Sequence, residues 1–231
     1  MNDTRPDRPR LHQLLVRRLG LDQAAQRRLA WLMETFLVGL FFVGLYEGNT
    51  GVVVNTAVAL GVTQLVPVLE RDYGLPMNPA LTLWITTAVF LHAFGTIGFP
   101  WSESSPYRSI AWWDHLTHAL SSSVVGAVGY ATARAIDLHD DRVNLPPRFM
   151  FAFILLTVVS FGVFWEVLEF TIGTVSAAVG GGSVLTQYGL EDTMLDLVFD
   201  VLGALFVAVW GTAYLTDVVG ALVERLDRRR S

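Results

Sequence analysis

Asp114 and His118 stand four residues apart where an apolar stretch of the chain begins. A helix stacks such i,i+4 partners on one face. Glu166 and Glu169 lie three apart inside another apolar run, and Asp192, Asp196 and Asp200 recur every fourth residue into the last one. His92 is the single ionisable group of an earlier run. Carboxylate and imidazole together suit zinc, iron or manganese, whereas carboxylates alone suit magnesium or calcium. Unpaired carboxylates are costly in hydrocarbon, so they bind a cation, share protons or line water. Three readings follow: a divalent-metal centre, which is preferred, a proton-sharing or ion-conducting network, and a purely structural polar core.

On the metal reading the expected ligands are His92, Asp114, His118, Glu166, Glu169 and Asp196. Glu169 is the expected general base, and Asp200 a second catalytic or supporting carboxylate. His92 could equally be a hydrogen-bond partner behind the ligands. His115 points about 100° away from Asp114 on a helix and is expected at the interface, while Asp192 and Thr193 are expected to cap the last helix. Glu34 and Glu47 fall off the set, and Asn55 and Gln64 read as interhelical hydrogen-bonders. The pattern is neither two Glu-x-x-His pairs nor His-Glu-x-x-His. Cysteine is absent, which removes disulfides, thiolate ligands and a thiol nucleophile. No Gly-rich phosphate loop, Gly-x-Ser-x-Gly elbow or nucleic-acid surface is present.

The elements that must position these groups are membrane helices. Of 231 residues, 52% are apolar and only 16% charged, with a mean hydropathy of +0.46. That composition favours a polytopic membrane protein. The spacing predicts an all-α bundle of six transmembrane helices at about 29–46, 51–69, 80–99, 112–134, 149–172 and 194–216. Residues 1–28 are expected as a tail that includes a basic amphipathic helix from Leu11 to Arg28, and 217–231 as a basic C-terminal tail that anchors at headgroups. All sixteen basic residues are arginine. With both termini cytoplasmic, Arg108 alone falls outside, which fixes the expected orientation in the inner membrane. Trp101, Tyr107, Trp112 and Trp113 then mark the outer interface, and the 173–193 loop, with Gly180 to Gly182 and Thr186 to Tyr188, is a candidate lid or rim. At 1.5 Å per residue the histidines and acids of four helices lie within roughly 5 to 12 Å of the outer boundary.

In order, His92-Ala93-Phe94-Gly95, the Trp-Asp-x-x-x-His of Trp113 to His118, the Glu-x-x-Glu of Glu166 to Glu169 and the run from Asp192 to Gly203-Ala204 resemble the YjdF-like family of inner-membrane proteins. The resemblance spans roughly residues 35 to 210. A fainter likeness is to the VanZ-like membrane proteins, whose pattern resembles Glu-x-x-Gln and Asp-x-x-x-Asn where this chain has Glu169 and Asp200. The extra acids favour a cation site. The resemblance implies fold and topology rather than an activity. The resulting expectation is metal-assisted hydrolysis or transfer on a membrane lipid or lipid-linked envelope precursor. Its rivals are a metal or proton transporter and a non-catalytic envelope protein.

Overall fold

The computed structural model describes residues 22–98, 104–178, 184–185 and 187–228. Leu11 to Leu21 of the expected amphipathic helix, Trp101, Gly180 to Gly182, Thr186, Arg229 and Arg230 lie outside them. The described residues form eight helices and no strand. Helix α1, Gln23–Glu47, starts where the Asp22 carboxylate accepts from the Ala25 amide, and ends at Gly48, whose φ of 66° needs a residue without Cβ. Asn49 immediately caps α2, Thr50–Tyr73, by accepting from Val52. Asn78 and Pro79 open α3, Pro79–Gly95, in the same way. The short α4, Pro106–Ser109, precedes α5, Trp113–His139. Then come α6, Pro147–Ala178, α7, Leu190–Tyr214, and α8, Thr216–Arg228.

Helices α1, α2 and α3 pack on one another around Leu37, Ala59 and Ala93. The second group is built on α5, which packs most extensively on α7 and also on α6 and α8, around Ala127, Ile154, Val158 and Val207. Contacts between α3 and α5 join the groups. Trp31, Phe42, Val58, Leu156, Phe164 and Val209 face outward, the inverse of a water-soluble surface. Helices α1, α2 and α6 are each long and apolar enough to cross a membrane, and α3 is a shorter apolar helix of 17 residues. This is a polytopic, all-helical membrane protein.

The end of α1, the start of α2, α4, the start of α5 and the residues Val184, Leu185 and Tyr188 meet around one polar cavity. At the opposite end Arg225 reaches the carbonyls of Asp72 and Tyr73 at the close of α2, and His139 at the end of α5 meets Asp227 of α8 at 2.5 Å. Several helices outrun the expected spans: α5 continues to His139, α6 to Ala178, and α1 already includes Arg27 and Arg28. Hydropathy marks the stretch that suits lipid, whereas the backbone hydrogen bonds continue past it. Helix α3 stops at Gly95, against which the Tyr107 ring and the Trp113 indole pack closely. Most of the C-terminal segment is helix. Arg225 is engaged with α2, its guanidinium 4.6 Å from the Tyr73 ring centroid.

Candidate metal centre

The site sits where α5 and α7 cross. Gly203 of α7 makes that crossing tight: a Cβ there would collide with the Ser122 hydroxyl and the Ala119 carbonyl of α5. Such backbone approach is the use small residues have between membrane helices. It brings His118 of α5 between Asp196 and Asp200 of α7. Gly162 of α6 leaves the room that the Asp200 carboxylate fills.

His118 Nε2 lies 3.6 Å from Asp114 Oδ1 and 3.9 Å from Asp196 Oδ2. One donor atom from each of the three residues falls within 4.8 Å of the others. Donors about 2.1 Å from a tetrahedral ion stand roughly 3.4 Å apart, so this triangle has the size of a coordination site. Its far ring nitrogen, Nδ1, lies 3.3 Å from Asp200 Oδ1. That contact fixes the ring and leaves Nε2 to face the other two acids, the arrangement that orients metal-bound histidines. Asp196 is 1% exposed, and neither of its carboxylate oxygens has a hydrogen-bond partner. A buried acid without a donor needs a proton or a cation.

Glu166 and Glu169, both buried on α6, stand outside the three-residue cluster. Glu166 Oε2 accepts from Thr193 Oγ1 at 2.7 Å and from Gln187 Nε2 at 3.3 Å, while Oε1 is unpartnered. Glu169 accepts from the Trp165 indole at 3.1 Å. His92 Nδ1 pairs with the Tyr107 hydroxyl at 2.8 Å, and that hydroxyl lies 3.3 Å from Thr117 Oγ1. Burial holds the Tyr107 hydroxyl well above its ordinary pKa, so it keeps its proton for this network. His92 Nε2 is buried without a partner. Asp192 accepts from the Tyr188 amide at the head of α7, while the neighbouring Thr193 turns inward to Glu166. His115 stacks on Phe199, its ring centroid 4.5 Å away.

Two cavities flank these groups. A polar one of about 590 Å³ is lined by Glu47, Asp114, Glu169, Tyr107 and Arg108. An apolar one of about 270 Å³ is lined by His118, Asp200, Trp165 and side chains of α2, α3 and α5, among them Val58 and Val125. His92 lines both. Sequence reasoning missed Tyr107, which it assigned to an interfacial belt, and Trp165, whose i,i+4 spacing to Glu169 was the available signal.

The fold and the site together define a multi-pass helical membrane protein with a buried His/Asp cluster able to coordinate a metal ion. The chain belongs to the family described as "Predicted membrane protein (DUF2238)", whose sequence profile matches residues 28–217. It is similar to a protein of Thermotoga maritima described as uncharacterized, with 36% identity over 121 residues. That stretch is 52% of this chain and 56% of the relative's length. No solved structure matches.

Proposed function

We propose that this protein holds a divalent metal ion through Asp114, His118 and Asp196 and uses it for hydrolysis or group transfer on a lipid or lipid-linked substrate. Asp196 carries the reading: its two buried oxygens lack any donor, which a purely structural polar core would have supplied. Zinc, iron(II) or manganese suits the mixed donor set better than magnesium or calcium. A bound ion supplies Lewis-acid polarisation of a phosphoryl or acyl oxygen. Glu169, facing the polar cavity and held by Trp165, is placed to take the proton of an attacking water as the substrate's leaving group departs. Asp200 orients His118, and Glu166 and His92, each with one buried unpartnered atom, are the further candidate ligands.

The ordered motifs that resemble the YjdF-like proteins agree with six spans and both termini in the cytoplasm. Fifteen of sixteen arginines then lie on the cytoplasmic side, and the site opens to the exterior. A reporter fused after Arg142 should register cytoplasm, and one fused after Tyr188 the exterior. A cytoplasmic signal from the second would reverse the orientation. For the centre itself, elemental analysis of detergent-purified protein from metal-replete medium should find one to two equivalents of a transition metal. Metal-free protein that shows no thermal shift with zinc, manganese, iron(II), magnesium or calcium would sink the reading and leave a protonated acid network.

A further inference from the structure

The apolar cavity opens sideways. Val58 of α2 and Phe161 of α6 both line it and are both exposed on the lipid-facing surface. Helix α2 packs chiefly on α1 and α3, and α6 on α5 and α7, so α2 and α6 flank the cavity without closing it. At about 270 Å³ it sits near the lower bound of roughly 300 Å³ for small-molecule pockets, and the wall it exposes is mostly apolar. The polar cavity beyond is about 590 Å³, the size of a headgroup-bearing ligand.

The two spaces adjoin at His92, which lines both. Two hydrogen-bonded pairs, Tyr107–Thr117 and Trp165–Glu169, each have one residue on the polar cavity and the other on the apolar one. Asp114 faces the polar side and His118 the apolar side. The charges lining the polar cavity are also unequal. Glu47, Asp114 and Glu169 contribute carboxylates there, whereas Arg108, hydrogen-bonded to Tyr188, contributes one guanidinium. Asp114 is committed to the cluster with His118 and Glu169 to the Trp165 indole, which leaves Glu47 at the rim to meet a cation and Arg108 to meet an anion.

We infer that the ligand is a zwitterionic membrane phospholipid, one acyl chain of which enters laterally between α2 and α6. Its phosphate lies toward Arg108 and its ammonium toward Glu47, so that the linkage between head and chain falls where the cavities adjoin, beside Asp114 and His118. The chemistry done there rests on the metal reading; the binding does not.

Native mass spectrometry with three lysolipids of equal chain length tests this: lysophosphatidylethanolamine, lysophosphatidylglycerol and lysophosphatidic acid. Wild-type protein should retain the ethanolamine lipid at least about tenfold better than the other two, the scale of a hydrogen bond to a charged group. Glu47→Gln should bring the three within about twofold of one another. Arg108→Gln should weaken all three by about tenfold, because each carries a phosphate. Val58→Trp, which fills the portal from the lipid side, should weaken all three while the metal content stays at the wild-type value. Equal retention of the three heads by wild-type protein, or retention indifferent to Val58→Trp, overturns the inference. Metal content measured on the same samples separates the two failures: head selection in metal-free protein would leave this binding mode standing and remove the metal reading alone.

Discussion

His118→Ala is expected to strip the protein of its metal, lowering affinity by two orders of magnitude or more, while the variant stays folded and monodisperse. His118 is the one side chain that touches every other acid of the crossing: Asp114 and Asp196 from one ring nitrogen, Asp200 from the other. Asp200→Asn should act more mildly, by about 10- to 100-fold, because it disturbs the orientation of the ring and removes no donor of the cluster. Asp196→Asn separates a metal centre from a structural core most sharply. In metal-loaded protein it should lower the melting temperature, since an ion that binds only the folded state stabilises it. In chelator-stripped protein the same change should raise it, because a buried carboxylate with no donor is itself destabilising. A chain of this size shifts by about 2–4 °C per kcal/mol, which thermal unfolding with and without chelator resolves. The same sign under both conditions would mean that Asp196 does not answer to a cation.

How much of this was legible beforehand divides along a physical line. The approach of Asp114, His118 and Asp196 followed from i,i+4 spacing and a common depth, because regular helices carry register faithfully over one or two turns. Depth alone does not give azimuth. Glu166 and Glu169 share a helix, yet α6 directs one to Thr193 and Gln187 and the other to Trp165; the Trp165 contact is an i,i+4 neighbour, whereas Thr193 and Gln187 come from beyond the segment. Tyr107 was opaque for another reason: its hydroxyl reaches His92 from 15 positions away, with its ring packed where Gly95 has no Cβ. The charge of the C-terminal segment was plain, but its target was not. Arg225 finds the carbonyl end of α2, a contact between residues about 150 positions apart that no local pattern announces. Span limits drifted for the simplest cause, since α5 and α6 keep their hydrogen bonds beyond the apolar stretch that hydropathy detects.

Gly203→Leu is expected to abolish metal binding without altering any ligand. A side chain at this position would drive into the Ser122 hydroxyl and the Ala119 carbonyl, and backbone on the far side of a helix crossing cannot move aside as a flexible side chain does. Overpacking of this kind costs roughly 1–3 kcal/mol or more, and here the strain is relieved by separating α5 from α7, the two helices that carry the whole cluster. Gly61→Leu is the matched control: a Cβ at Gly61 of α2 meets nothing within 4 Å, so melting temperature and metal content should stay at wild-type values. Gly162→Ala should fall between them. Its methyl group would first meet the Asp200 carboxylate and the Leu197 side chain, both movable side chains, so the fold should survive while metal affinity drops into the range expected for Asp200→Asn. If Gly203→Leu kept full metal content, the tight α5–α7 crossing would not be what assembles the site, and the ligands would have to come together by another route.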